Sequence, residues 1–206
     1  MVLFYHPVSP YSRKVYVAML HRGDAFERRV LDVRGGELAT PAFLARSPFG
    51  KMPVLETSDG PIWESTSILE WLEERRRVLL PAGEERIARH WDRVGDLYLS
   101  DPQSELWFRP DGPLAQDAPR IVETAWRLYD ERLAGRDFTC DAGFGLGDLS
   151  GAIATHYLTL LGHVPPARVR AWQARCFELP AMATAWEEAR EAATRMLAAR
   201  ASSRRP

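Results

Sequence analysis

The sequence predicts two parts: an α/β half with the order βαβαββα over residues 1–76, then an all-α helical bundle over residues 85–206. Three observations predict this. Strand and helix signals alternate as far as residue 76. The stretch "EERRRVLLPAGEE" then breaks the alternation with charge, proline and glycine, which places a linker at 77–84. Every periodic stripe after it has helical spacing.

Val2 to Tyr5 is a short apolar run before a proline and reads as a buried strand. Val15, Ala18, Met19 and Arg22 follow at helical spacing, and Gly23 ends that helix. Glu27 to Asp32 alternates loosely as a second strand, and a weaker helix lies around Pro41 to Arg46. In "MPVLETSDGPIW" two apolar runs flank Asp59-Gly60, a hairpin signal. Ser65, Ile68, Leu69 and Leu72 close the first half as a helix. Beyond the linker, the stripes are Ile87, Trp91, Val94 and Tyr98; Val122, Trp126, Tyr129 and Leu133; Leu149, Ala152, Ile153, His156 and Leu160; and Met182, Trp186, Ala189 and Ala193. Five or so helices follow, ending in a frayed "ASSRRP" tail.

Lys plus Arg (27) nearly balance Asp plus Glu (28), so no global field points to nucleic acid or a membrane. No apolar run is long enough to span a bilayer, and the start carries no leader pattern. The two cysteines, Cys140 and Cys176, match no metal or redox spacing, as expected of a cytoplasmic protein. The five histidines have no i, i+4 pairing, so no metal is expected.

Chemistry-bearing residues gather at three junctions. Ser9-Pro10 reads as an N-cap and first helical residue, with Ser12 one turn on and Tyr5 at the end of the first strand. Met52-Pro53 opens the third strand, where a proline is tolerated. Glu64-Ser65 stands where the hairpin turns into a helix.

The run "SPFGKMPVLETSDGPIWESTSILEWLEE", residues 47–74, is close to the glutathione-site signature of the soluble glutathione transferases, and the βαβαββα-plus-helices order resembles that family along nearly the whole chain. The opening "SPYSRKV" is similar to its serine-type, bacterial-like members. The resemblance implies a thioredoxin-like first domain that binds glutathione, and a helical second domain that holds a small apolar electrophile. It implies that Ser9 assists ionisation of the glutathione thiol, with Ser12 and Tyr5 as the other candidates. A thiol of pKa about 8.5 is mostly protonated at neutral pH, and both a hydroxyl donor and a helix N-terminus favour its anion. It further implies a cis Met52-Pro53 bond, backbone pairing of Met52 with the cysteine unit, and contacts from Glu64 and Ser65 to the γ-glutamyl unit. Lys51 is the candidate for the glycine carboxylate, with Arg34 as alternative, because a polar family position is Leu38 here. Tyr11, Trp107 and Phe108 are candidates for the electrophile pocket, although Trp91, Tyr98, Trp107 and Phe108 are mostly core by spacing.

Two further matters follow from the resemblance. "GFGLGDLSGA" is similar to the family's capping box, with Asp148 in place but Gly145 at the cap, which reads as a slightly weakened element. Its glycines follow no strand, which argues against a phosphate loop. The expected activity is conjugation, as in detoxification, by a homodimer. The alternatives are isomerisation of the maleylacetoacetate type, for which the Ser-Ser-Cys run is missing, and a non-catalytic binding protein. Glutathione-dependent disulfide reduction lacks a cysteine in residues 1–76.

Overall fold

The computed structural model describes residues 1–202, apart from the side chains of residue 193 and residues 195–202. The Ala193 side chain and residues 203–206 of the expected frayed tail therefore lie outside what is described, while residues 201 and 202 continue the last helix. The chain divides into two compact units, one formed by residues 1–71 with the segment from Pro180 onward, the other by Leu72–Leu179.

In the first unit the elements are β1 (Val2–Tyr5), α1 (Pro10–Arg22), β2 (Glu27–Val30), a 3-10 turn at Glu37–Ala39, α2 (Pro41–Leu44), β3 (Val54–Thr57), β4 (Gly60–Trp63) and the start of α3 (Ser65–Arg75), whose residues from Leu72 onward belong to the second unit. The sheet order is β2-β1-β3-β4, with β1 and β2 parallel and the other pairs antiparallel. Side chains alternate across a strand, so Phe4 shares one face with Val2 while Leu3 and Tyr5 share the other. Phe4 packs there with Leu31, Phe43 and Val54, and Val2, Leu38 and Met52 border the cluster. α1 starts on Ser9 and Pro10 and stops at Gly23, whose φ of 67° is the left-handed conformation glycine adopts most readily. The hairpin turns through Ser58 and Asp59, and the Thr57 hydroxyl donates to the Gly60 carbonyl at 2.8 Å. β2 is one of the two sheet edges, and all four of its residues are exposed.

The last helix, α9 (Pro180–Ser202), was expected to close the helical half; it packs on α1 in the first unit instead. Its buried residues Met182, Ala185, Ala189 and Ala192 form an apolar stripe, and the Arg13 guanidinium lies over the Trp186 ring at 5.1 Å. The expected linker is likewise built into the second unit. The Glu73 carboxylate, 2% exposed, accepts from the N–H groups of Val78, Leu79 and Leu80 at 2.8, 2.9 and 3.1 Å.

The second unit contains α4 (Glu85–Gly95), a π-helical stretch at Asp96–Ser100, α5 (Asp101–Phe108), α6 (Pro113–Arg132), α7 (Leu146–Leu160) and α8 (Ala167–Phe177). α7 is its axis, buried continuously from Leu146 to Thr155. Tyr129 stacks between Trp91 and Trp172, with ring centroids 4.6 and 5.0 Å away. Its hydroxyl reaches the carbonyls of Trp91 and Gly147 at 3.1 and 3.2 Å. A Cβ at Gly147 would collide with Trp91, and one at Gly151 with Tyr129. The glycines of "GFGLGDLSGA" thus include two that let helices approach closely.

The aromatic stripe of α4 does not continue as spaced. A π turn takes in an extra residue and rotates everything after it. Leu99 and Ser100 therefore face inward, whereas Tyr98 is exposed, as are Trp107 and Phe108 at the end of α5. Of the four aromatics expected to be mostly core, Trp91 is buried, and the other three are corrected to exposed positions.

Candidate active site

Strand register brings the three junctions of the first unit to one end of the sheet. Phe4 pairs with Val54, and Val54 pairs with Trp63, so the end of β1, the start of β3 and the end of β4 lie side by side. Tyr5 pairs with Val30, which puts the end of parallel β2 there too. The Ser9 loop, Met52-Pro53 and Glu64-Ser65 all leave the sheet at this end. So do the N-termini of α1 and α3, whose aligned dipoles favour an anion.

Ser9 caps α1. Its φ and ψ of −76° and 125° are extended, its hydroxyl oxygen accepts from the Ser12 N–H at 3.3 Å, and its carbonyl accepts from the Arg13 N–H at 2.9 Å. A hydroxyl has one donor and two acceptor positions. The cap occupies an acceptor position only, so the Ser9 O–H remains able to donate to a ligand. Ser12 is fully buried, and its oxygen accepts from the His6 N–H at 3.4 Å, fastening the loop to the helix. His6 Nδ1 in turn accepts from the Val8 N–H at 3.3 Å, and burial lowers the pKa of the imidazole, so it is neutral at pH 7.

Tyr5 is 1% exposed and turned toward α9: its hydroxyl lies 3.5 Å from Glu188 Oε2, and its ring is 5.2 Å from that of Tyr16. Burial, reinforced by the Glu188 charge, raises its pKa. The structure therefore joins Ser9 and Ser12 in one helix start and places the Tyr5 hydroxyl beside Glu188.

The Met52-Pro53 bond is cis. The β1–β3 ladder begins at Val54, leaving Met52 outside it. Gly50, at φ 60°, brings its backbone so close to the Leu38 carbonyl that a Cβ would approach it to 2.9 Å. Leu38 packs against the Phe4 cluster, so this position contributes an apolar contact. Lys51 is exposed, and its N–H donates to Ser47 Oγ at 3.1 Å. Glu64 has φ 74° while its carbonyl accepts from the Ile68 N–H at 3.0 Å as the first bond of α3. A left-handed non-glycine residue costs roughly 1–2 kcal/mol, and such strain collects at ligand clamps. Ser65 beside it is 6% exposed.

Tyr11 is half-buried in the first turn of α1. Trp107 and Phe108 are 42% and 73% exposed in the second unit. Among the described residues no group of three His, Cys, Asp or Glu side chains is arranged to hold a metal ion.

Glutathione S-transferase F10 of Arabidopsis thaliana is 38% identical to this chain over 175 residues, which cover 77% of the chain and 81% of that protein. The chain belongs to the glutathione S-transferase family. The family description "Glutathione S-transferase, N-terminal domain" matches residues 8–75, a span that takes in Ser9, Met52-Pro53 and Glu64-Ser65. Arabidopsis glutathione S-transferase F6 is 34% identical over 171 residues, 76% of this chain and 82% of that one. Among solved structures, glutathione transferase URE2P8 from Phanerochaete chrysosporium, crystallised with oxidized glutathione, has the same fold. Its TM-score is 0.82 at 18% identity, covering 94% of this chain and 96% of that one. This glutathione S-transferase fold is thus the α/β-plus-helical architecture expected from the sequence. What the sequence did not signal is the contact of Glu188 with Tyr5 and Tyr16, since 183 and 172 residues separate the partners.

Proposed function

We propose that the protein binds glutathione at this end of the sheet, ionises its thiol beside Ser9 and conjugates it to small apolar electrophiles, as a serine-type transferase. The observation that carries this reading is the register that gathers the Ser9 cap, Met52-Pro53 and the α3 start at one sheet end. The Ser9 hydroxyl and the α1 N-terminus favour the thiolate over the thiol, whose proton passes to solvent. The thiolate then forms a carbon–sulfur bond, and a leaving group such as halide departs with the electron pair of the bond it breaks. Met52 pairs through its backbone with the cysteine unit, Glu64 accepts from the γ-glutamyl ammonium, and Ser65 holds the adjoining carboxylate. Lys51 pairs with the glycine carboxylate. Tyr11, in the first turn of α1, contacts the electrophile. Cys140 and Cys176 support conjugation over disulfide reduction, since burial pushes the Cys140 thiol up to about 11 and the fully buried Cys176 thiol well above its usual value. The reading includes a cytoplasmic homodimer; no helix among the described residues is long and apolar enough to cross a membrane.

The protein is expected to be retained on immobilised glutathione, released by free glutathione, and active with at least one acceptor in a panel that includes aryl halides. Retention without turnover on any acceptor would favour a binding protein. Ser65→Ala is expected to weaken glutathione binding about tenfold in calorimetry, the equivalent of roughly 1.4 kcal/mol. Equal affinity would remove Ser65 from the γ-glutamyl contact.

A further inference from the structure

Glu188 of α9 is the centre of a charged cluster that lies wholly in the first unit. Its Oε1 accepts from the Tyr16 hydroxyl at 2.8 Å and from Arg28 Nη1 at 2.7 Å. Its Oε2 accepts from the same Arg28 nitrogen at 2.9 Å and lies 3.5 Å from the Tyr5 hydroxyl. Arg28 Nη1 also donates to the Tyr16 oxygen at 2.5 Å, and its guanidinium carbon lies 5.3 Å from the centre of that ring. One carboxylate thereby joins β1, α1, β2 and α9. Tyr5 and Tyr16 are 1% and 3% exposed, so the cluster rests on two packed tyrosines, while the Arg28 and Glu188 side chains that join them are 44% and 32% exposed.

The two tyrosines bracket the site loop. Tyr5 is the last residue of β1, Tyr16 lies in the second turn of α1, and the chain between them carries His6 to Ser9 and the helix start. A cleft of about 290 Å³ beside the cluster is lined by Tyr5, Pro7, Arg28, Val30, Glu188 and Glu191, so the cluster and the loop share a wall two residues from Ser9. A hydroxyl aimed at a sulfur must be held within about 0.5 Å of its working position to be effective. The backbone bonds of the loop set its turn: the Ser9 N–H donates to the His6 carbonyl at 3.0 Å and the Arg13 N–H to the Ser9 carbonyl at 2.9 Å. The bonds accepted by the Ser9 and Ser12 hydroxyls are long, at 3.3 and 3.4 Å, so the hydroxyl placement depends also on what anchors the two ends of the loop.

We infer that Glu188 is a positioning residue for the thiol-activating helix start, fixing Tyr5 and Tyr16 so that the Ser9 loop between them keeps its geometry. This rests on the proposed role of Ser9. Glu188 touches neither glutathione nor the acceptor; it acts through the loop, and α9 thereby becomes part of the activating apparatus.

The test is a pH titration of the thiolate absorbance of glutathione bound to the full-length protein, run beside thermal unfolding. Glu188→Ala is expected to raise the titration midpoint by roughly one unit and to lower turnover about tenfold, the factor that one pKa unit represents. Glu188→Gln keeps an acceptor for Tyr16 and is expected to restore at least half of the shift. Tyr16→Phe keeps the ring packing, removes one donor to Glu188, and is expected to move the midpoint in the same direction. A lowered melting temperature with the wild-type midpoint in Tyr16→Phe, and in whichever Glu188 variants fold, would overturn the inference by making the cluster merely structural. A wild-type complex whose thiol titrates as free glutathione does would instead overturn the role of Ser9, so the two failures are distinguishable.

Discussion

Replacing Ser9 by alanine is expected to lower turnover with an aryl halide at least tenfold, because a hydrogen bond to a charged group is worth about 1.5–3 kcal/mol. The same loss appears as an upward movement of the bound thiol's titration midpoint by about one to two units. Alanine also removes the helix cap, a change of about 0.5–2 kcal/mol in stability, so the two effects need separating. Ser9→Gly does this. Glycine is a tolerated cap that lacks the hydroxyl, so this variant is expected to melt close to wild type and to be as slow as Ser9→Ala. Turnover near wild type in the glycine variant would show that the position acts only as a cap. Ser12→Ala should give the opposite balance. The Ser12 oxygen is fully buried and holds the His6 N–H, so its loss falls first on the stability of the loop. Stopped-flow turnover and the thiolate absorbance, measured on all three variants, decide which serine donates.

The parts of this molecule that could be read in advance are those specified by neighbours in sequence. The βαβαββα order follows from short apolar runs punctuated by Pro10, Gly23 and Asp59-Gly60, each of which acts on the backbone within a residue or two. Ser9 was legible because a cap must directly precede its helix. The stripe on α9 identified a buried face, but periodicity says nothing about what covers it, and the cover is α1 of the first unit. The Asp96–Ser100 π turn has no spacing signature of its own, so the aromatic pattern was extended through it and Tyr98 was assigned to the wrong side. Glu188 was invisible for a further reason. On its helix it looks like one of several solvated acids, and only the three-dimensional meeting with Tyr16 and Arg28 gives it a role.

Asp148→Ala is expected to have the largest effect on stability, about 3–5 kcal/mol, because several buried donors lose their acceptor together at about 1–3 kcal/mol each. The carboxylate accepts from the Thr139 N–H at 2.7 Å, the Thr139 hydroxyl at 3.0 Å, the Gly145 N–H at 3.0 Å and Trp172 Nε1 at 2.8 Å. Burial pushes its carboxyl up to about 6 against the pull of these four donors, so it is ionised at neutral pH. Removing it strands buried donors from three segments at once, at about 1–3 kcal/mol each, against the smaller gain of no longer burying a charge. A domain stable by about 5–15 kcal/mol would then be partly unfolded at modest temperature. Gly145 cannot share this load, since without a side chain it offers no reciprocal bond to the Asp148 N–H. The glycine is nevertheless explained by crowding: a Cβ there would sit 3.1 Å from the Leu79 carbonyl. That carbonyl already accepts from the Leu146 N–H at 3.1 Å, so it has little freedom to retreat. Restoring a serine cap by Gly145→Ser is therefore expected to give no more than a few tenths of a kcal/mol, the difference between the two residues as caps. Urea unfolding of both variants tests the argument. An Asp148→Ala protein within 1 kcal/mol of wild type, or a clear gain from Gly145→Ser, would mean that the four bonds seen at this carboxylate do not hold the second unit together.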